Sequence, residues 1–529
     1  MKKAIIIFLS LFATVTCFSQ AYYFVQFTDK GNPCAYSTKR PSEFLSERAI
    51  NRRTTHTIAI DTSDFPVHKN YIQSITNLGL TLKHSSRWLN GATFLASDTT
   101  VMAQVRALPF VKYSQQTKLL NNTKSTIIKT VNKITENYGA AATQIQMLRL
   151  DSLHTLGFKG NNMHIAVIDA GFYKVNENPA FEQFRSNGQL LGTKDFVDEN
   201  SDIYAEDRHG MYVLSTIVGC LSERYLGSAP NASCWLLRTE EDSTESLLEI
   251  DNWVAAVEFA DSAGVDAITS SLGYSQFDDT STNFTYQDLN GKTARNSIVA
   301  TIAAQKGILV LNSAGNEGNS SWHYITMPSD ADSILTVGSV DAARQKSSFS
   351  SFGPTSDSRI KPEVCAMGSL AALINYEGEP FYGNGTSFST PIMAGAALCL
   401  WQALPKLNNI ELIKLICQHA SQAKNPDNNI GYGIPDMVTA YYAPSTQNSQ
   451  TKITQLSIYP NPVQQSVTIL LPDNNFYHIE ITDISGRTMW QTKQISHQCV
   501  INCANWSQGI YCIRVQNQNN TYLEKLIKQ

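Results

Sequence analysis

Hydrophobic and polar positions follow three different rhythms along this chain. In the first, YYFVQF at 22–27 alternates with a period of two and predicts a strand. A helical spacing follows around Tyr71 to Leu78, and LTLKHSSRWLNGATFLAS at 80–97, broken near Asn90 and Gly91, reads as a hairpin. A helical pattern from Thr100 to Leu108 and a strand at Phe110 to Tyr113 complete the set. The order strand, helix, two strands, helix, strand predicts a small ferredoxin-like α+β unit. A polar connector, Ser114 to Asn137, then separates it from the next rhythm.

From Tyr138 to Ala443, short apolar runs alternate with helical segments: HIAVIDAGF, SCWLLRT, GVDAITSSLGY, GILVLNSAGN and ILTVGSVD. Near-continuous apolar strands in this alternation predict an α/β fold, a parallel sheet with helices on both faces. A Ser/Thr/Gln/Asn-rich linker from Pro444 to Gln455 leads into the third rhythm. There SVTILL, FYHIEITDI, GIYCIRVQ and TYLEKLIK are separated by Asn, Gly and Pro turns, and no helical period is present. That predicts a small all-β sandwich. The expected boundaries are 1–20, 21–137, 138–443, 444–455 and 456–529.

Composition narrows the class. The 529 residues are 42% hydrophobic and only 16% charged, and the net charge of -4 offers no basic face for a phosphate backbone, so nucleic acid is excluded as a partner. Lys2 and Lys3 precede an apolar run to Phe18, then Ser19 and Gln20. This reads as a signal peptide cleaved near Ser19 or Gln20, too short to span a bilayer. Cys17 after the apolar run also admits a lipoprotein reading, against which Thr16 is bulkier than such motifs favour. No later segment has the length of a membrane helix, so an exported, secreted or cell-surface protein is expected. The remaining nine cysteines form no disulfide framework and no zinc spacing. Cys399 and Cys417 fit buried helical positions, and Cys220 with Cys234 is the pair to test as a bridge.

Three segments carry candidate chemistry. Asp169 ends the apolar run IAVI, at the carboxyl edge where open α/β sheets gather their ligands. Taken alone, a turn-starting aspartate explains it better. His209 opens HGMYVLSTIVG, where Gly210 permits close approach and Val213, Leu214, Ile217 and Val218 have amphipathic helical spacing. Alone, it reads equally as a helix cap. Ser387 lies in GNGTSFSTPIMAGAALCLWQ, a glycine-rich turn feeding a helix whose first N–H groups and dipole can stabilise an oxyanion. Pro391 is expected within the tolerant first turn.

Together, IAVIDAGF, HGMYVLSTIVG and GTSFSTPIMAG resemble the Asp, His and Ser motifs of the subtilisin family, in that family's chain order. The similarity extends to GSAPNAS at 227–233, SSLGY around Ser271, SAGNEG at 313–318 and SSFSSFGP at 347–354. The resemblance implies a serine endopeptidase with Asp169, His209 and Ser387 as catalytic triad and Asn316 as oxyanion donor. It also implies substrate contacts at Ser271, Leu272, Gly273, Ala314 and Gly315, peptide or protein substrates, and no required cofactor. Met211 and Tyr212 depart from the family's usual Thr and His, so the hydrogen bonds near His209 are expected to differ.

Glu240, Glu241, Asp242 and Glu245 fall where the family rims its cleft. They are read first as a solvated acidic loop and second as a preference for a basic residue upstream. Asp278, Asp279, Asp288 and Asn290 offer oxygen ligands suited to structural calcium, although their spacing matches no specific loop.

The region from Tyr22 to Tyr113 resembles an inhibitor-like propeptide, which implies a zymogen; a permanent accessory domain is the alternative. IYPNP at 458–462, DISGR at 483–487, WSQGIYCIRV at 506–515 and the terminal KLIKQ resemble a type IX secretion sorting domain, implying that machinery as a partner. A carbohydrate-binding or adhesion module is its rival. For the whole chain the competing readings are a catalytically silent subtilisin-fold binding protein and, more remotely, an esterase.

Overall fold

The computed structural model describes residues 20–31, 35–119, 138–241, 243–447, 457–470, 477–494, 498–516 and 521–529. The expected signal peptide, Cys34, Asp242 and most of the two expected connectors lie outside them. The chain divides into two compact units, Met1–Tyr441 and Tyr442–Gln529.

The first unit begins with a four-stranded antiparallel sheet of β1 (Ala21–Phe27), β2 (Thr81–Ser86), β3 (Gly91–Ala96) and β4 (Val111–Leu119), in the order β2-β3-β1-β4. Helices α2 (Lys69–Thr76) and α3 (Met102–Arg106) join them in the ferredoxin-like order that the period-two and helical runs predict. One element was not foreseen, α1 (Glu47–Thr55), whose sequence ERAINRRTT has no apolar stripe.

Seven parallel strands form the central sheet: β5 (His164–Asp169), β6 (Leu190–Asp195), β7 (Ser233–Arg238), β8 (Ala267–Ser270), β9 (Leu309–Ser313), β10 (Leu335–Val340) and β11 (Val364–Met367). Their order is β11-β10-β9-β8-β5-β7-β6, all neighbours parallel. The five inner strands are the apolar runs of the sequence. The two edge strands escape that pattern because β6 is half exposed and polar, and β11 has only four residues. Helices α4 (His209–Val218), α5 (Leu247–Ala263), α6 (Arg295–Gln305) and α7 (Thr386–Ala403) connect and cover the strands. The spacing in α4 predicts an amphipathic helix, but every residue from Gly210 to Val218 is buried. Such a helix is enclosed on all sides and shows no polar face.

The α+β layer packs on α5 and α6. Phe24, Trp88 and Leu89 join a core cluster with Trp253, Val257 and Val299. The acidic residues Asp251, Glu258 and Asp261 recur at i, i+7 and i+10 of α5 and turn toward this layer. Glu258 receives Ser86 Oγ at 2.6 Å and the N–H groups of Arg87 and Trp88 at 2.8 and 3.1 Å, which satisfies the turn of the hairpin. Asp261, fully buried, is bound by Arg52 at 2.5 Å, by Arg53 at 2.8 Å and by Arg87. Burial pushes this carboxyl up, yet Arg52, Arg87 and Arg53 together hold it below the usual range. Helix α1 therefore exists to carry two buried arginines to α5. Asp261→Ala leaves Arg52 and Arg87 without the carboxylate they share, and should destabilise the docked layer by about 3–5 kcal/mol. Urea unfolding of the full chain measures this, and an unchanged midpoint would show that the cluster contributes no net stability.

Among its described residues the second unit has seven strands in two antiparallel sheets. One contains 457–459, 466–470 and 498–502; the other orders 488–494, 477–483, 509–516 and 521–528. Alternation is clean in Gly509–Gln516, where Tyr511, Ile513 and Val515 face a core shared with Val467, Ile469 and Ile481. The strands at 457–459, 488–494 and 498–502 are additions to the sequence reading. Helix Met437–Gln447 also continues into the stretch expected as linker from Pro444.

The proposed Cys220–Cys234 bridge is not formed, and both thiols are free. Cys234 is enclosed inside β7, whereas Cys220 sits half-buried in a two-residue hairpin with Tyr225 and Leu226. Cys399 and Cys417 are buried in helices, as their apolar surroundings predicted.

Candidate active site

Strand β5 brings Asp169 to the carboxyl edge of the sheet between β7 and β8, the point at which the order of strand addition reverses. Its carboxylate is fully buried. Oδ1 accepts the N–H of Ala170 at 2.8 Å and lies 2.7 Å from Nδ1 of His209. His209 is the first residue of α4, and its N–H is held by Asp207 Oδ1 at 2.6 Å. Gly210 makes the approach possible: a Cβ there would meet Gly171 O at 2.3 Å and Asp169 Cβ at 2.8 Å. The imidazole is thus oriented from Nδ1, while its side chain keeps 31% of its exposure.

Met211 and Tyr212, the two departures from the usual motif, turn into the core, with the Tyr212 ring 5.0 Å from that of Phe381. Phe388, next to the serine, has its ring 6.1 Å from that of His209.

Ser387 is the second residue of α7 and is buried, with Oγ 3.4 Å from the carbonyl of Ser271. The expectation for Pro391 needs correction, because α7 begins at Thr386 and Pro391 falls past its first turn. A proline here removes the N–H that would bond the carbonyl four residues back, which belongs to Ser387. Ser271 Oγ supplies the missing donor, at 2.8 Å from Ser387 O. The serine's backbone is consequently held by the loop after β8. Ser271→Ala should leave that carbonyl unpaired at a cost of about 1–3 kcal/mol. Adding Pro391→Ala restores a helical donor and should recover part of the loss, which a double-mutant cycle on stability and turnover would measure; strict additivity would refute the link.

Asn316 follows β9 in an exposed turn. Its Oδ1 accepts both the N–H of Thr386 at 2.9 Å and Thr386 Oγ1 at 3.0 Å. With the oxygen engaged on α7, the amide nitrogen is the end left to donate elsewhere. Leu272 and Gly273 are partly or fully exposed along an edge beside these groups, whereas Ser271 and Ala314 are buried behind it and Gly315 is intermediate. Gly273 is required, since a Cβ would lie 2.0 Å from Thr326 Oγ1. Sequence reasoning missed Thr386 as the tether of Asn316. It also missed buried Asn312, whose Nδ2 binds Leu272 O at 3.0 Å and so sets the edge.

The candidate calcium loop does not assemble. Asp279 caps the turn at Ser281, Asp288 closes on Thr285, Asn290 caps Lys292 and Thr293, and Asp278 accepts from Glu245 N. Asp279, Asp288 and Asn290 are committed to their own turns and Asp278 to the loop at Glu245, and none converges on a common centre. Among the described residues the one carboxylate group close enough to hold a metal ion is Glu240, Glu245 and Glu249.

Comparison with known proteins gives this arrangement its context. The subtilase family model matches residues 160–433, a peptidase S8 propeptide domain of Bacteroidota matches 22–132, and a secretion system C-terminal sorting domain matches 457–529. Subtilisin DY of Bacillus licheniformis is 28% identical over 292 residues, 55% of this chain and 93% of that protein. A subtilisin of Bacillus pumilus is 30% identical over 274 residues, 51% of this chain and 87% of that protein. The crystal structure of an epidermin leader peptide processing serine protease from Staphylococcus aureus is similar in fold, with a TM-score of 0.56 at 17% identity, covering 80% of this chain and 99% of that one. With its model spanning more than half of the residues and the subtilisins aligned across the same region, the chain belongs to the subtilase family of serine peptidases.

Proposed function

We propose that this chain is a secreted serine endopeptidase that hydrolyses peptide bonds through an acyl-enzyme on Ser387. The observation that carries the reading is the buried Asp169 carboxylate 2.7 Å from Nδ1 of His209, at the sheet edge that also receives the N-terminus of α7.

His209 Nε2 takes the proton of Ser387 Oγ as that oxygen bonds to the carbonyl carbon of the substrate. Asp169 holds the tautomer and offsets the positive charge of the ring. Asn316 Nδ2 and the N–H of Ser387 donate to the oxyanion, and His209 then returns the proton to the leaving amine as the C–N bond breaks. Water repeats the sequence in reverse and frees Ser387. An extended peptide pairs with the edge at Ser271 to Gly273, and Ala314 and Gly315 border its first side-chain pocket. Hydrolysis of this kind draws on no cofactor.

In the same reading the layer at 21–137 folds with the enzyme, covers it and is cut away in the connector, and an N-terminal signal with the domain at 457–529 directs export. A chain truncated after Gln447 should then remain in the cell; efficient release of it would remove that role. For the enzymatic reading, fluorophosphonate labelling of the matured protein with mass mapping of the adduct is the test. An adduct on the peptide containing Ser387 and digestion of casein are expected. Neither occurring after loss of the N-terminal layer would leave a binding protein on a peptidase fold.

A further inference from the structure

We propose that a cleft of the first unit lined by Arg149, Arg344 and His419, separate from the triad, binds the C-terminal carboxylate of a peptide together with its apolar last side chain.

The cleft has a volume of about 330 Å³. That falls within the range of roughly 300–1,000 Å³ typical of small-molecule sites. Four segments distant in sequence build its wall: the end of helix Ala142–Met147, the turn after β10, the stretch after helix Asn409–Gln418, and the residues leading into helix Met437–Gln447. Backbone bonds tie them together, Met437 N–H to Leu148 O at 3.0 Å and Asp436 N–H to His419 O at 3.0 Å, with a bridge between Ala420 and Pro435. Arg344 joins this frame by donating Nη2 to Met147 O at 3.3 Å. Walls fixed in this way need little reordering to receive a ligand. Neither Asp169, His209, Ser387 nor any residue of the layer at 21–119 lines the cleft.

Charge selects the ligand. Two guanidinium groups, Arg149 and Arg344, against the one carboxylate of Asp436 leave a single positive charge on the wall. A monoanion balances it, whereas a phosphate group brings nearly two negative charges. Asp436 is already committed: its Oδ1 accepts the N–H groups of Val438 and Thr439 at 3.0 and 2.9 Å, and its Oδ2 holds Arg149 Nη1 at 3.0 Å. Arg344 is exposed and, among the described residues, uses one of its five N–H donors. A planar guanidinium with free donors takes a carboxylate through two parallel bonds. Met147, Ile434 and Pro435 add buried apolar surface to the same wall, which suits a hydrocarbon side chain and not a bare inorganic ion.

Backbone conformation points the same way independently. Arg149 has φ 55° and ψ 32°, and Arg344 has φ 64°. Both lie in the left-handed region, which glycine or asparagine occupies at less cost. Strain of this kind persists where a function requires the residue that bears it, and here it is borne by both arginines of the cleft. On the proposed activity every cut creates a new peptide C-terminus, so the enzyme would itself supply ligands of this class. Binding at the cleft does not depend on that activity.

Calorimetry on the full chain carrying Ser387→Ala, which keeps peptide ligands intact, is the test. A tetrapeptide ending in leucine and N-acetyl-leucine should each bind one to one, at least about tenfold tighter than the same molecules with an amidated C-terminus. Arg344→Met should bring acid and amide within about threefold of each other. Arg344→Lys should keep only part of the preference, because an ammonium cannot make the paired bonds. Arg344→Asn separates binding from folding: it should lose the preference while its urea midpoint holds or rises, since asparagine fits the left-handed turn. Acid and amide that bind alike, or not at all, overturn the proposal. A preference that survives Arg344→Met places the binding elsewhere and overturns it too. So does inorganic phosphate that binds as tightly as the tetrapeptide and loses its affinity in Arg344→Met, which would make the cleft an inorganic-anion site. Should the arginine variants fail to fold, phenylglyoxal modification of the Ser387→Ala chain, mapped by mass spectrometry, should be slowed at Arg149 and Arg344 by the peptide acid and not by its amide. Equal modification with either ligand also counts against the site.

Discussion

Ser387→Ala in the full chain should yield a folded protein whose peptide hydrolysis is lower by roughly a millionfold. Most of that loss is the acyl-enzyme route itself, since His209 and Asp169 have no proton to move once the hydroxyl is gone. What remains comes from donors that still recognise the oxyanion. The alanine should be tolerated structurally, because Ser387 is held through its carbonyl by Ser271 and not through its hydroxyl, which makes only a 3.4 Å contact. The variant should also keep the propeptide domain covalently attached, visible as a single unprocessed band. Processing at the native rate in purified Ser387→Ala protein would assign that cleavage to another peptidase, and residual turnover within a hundredfold of native would assign the nucleophile elsewhere.

Asn316→Ala should lower kcat roughly 100- to 1000-fold with little change in KM, because the lost donor acts on charge that develops only in the transition state. That is about 3–4 kcal/mol of barrier. Geometry supplies a sharper comparison. Asn316→Asp keeps an oxygen for the N–H and hydroxyl of Thr386, so the turn remains tethered to α7 as it is now, at 2.9 and 3.0 Å. It presents a second oxygen where the amide nitrogen was. If the side chain serves only to anchor the turn, aspartate restores activity; if it donates to the oxyanion, aspartate is at least as poor as alanine. In the Ser387→Ala background neither change should add its full cost, since the groups act as one unit.

Much of this was readable from sequence for a definite physical reason. Inner strands of a parallel sheet are buried on both faces, so β5, β8 and β9 announce themselves as apolar runs, and the proposed site residues sit where such runs end, at Asp169 and just after Ser270 and Ser313. Strand β6 and helix α1 lack that mark. One lies half exposed at an edge, and the other is buried through arginines whose partner, Asp261, is 208 residues from Arg53 in sequence. Long-range ion clusters leave no local periodicity, although acids at i, i+7 and i+10 of an otherwise apolar helix were a signal available to be seen. The acidic rim had the same fate: Glu240 and Glu245 look like part of a solvated loop until the start of α5 gathers them with Glu249. Asp278, Asp279, Asp288 and Asn290 look like ligands until the last three are found holding their own turns and the first holding the N–H of Glu245.

The carbonyl left open by Pro391 has a mechanical side. A nucleophile carried solely by its own helix would keep its position whatever happened at the neighbouring strand. Here the serine is suspended from the same loop that would line up the substrate in the proposed mechanism, with Ser271 gripping Ser387 O while Ser387 Oγ leans on Ser271 O. Reactive oxygen and substrate cradle are thereby indexed to each other, as two parts cut from one jig. On the proposed mechanism, displacing the cradle by a fraction of an ångström would carry the oxygen along and so conserve the distance of attack when a bulky peptide pushes the edge aside.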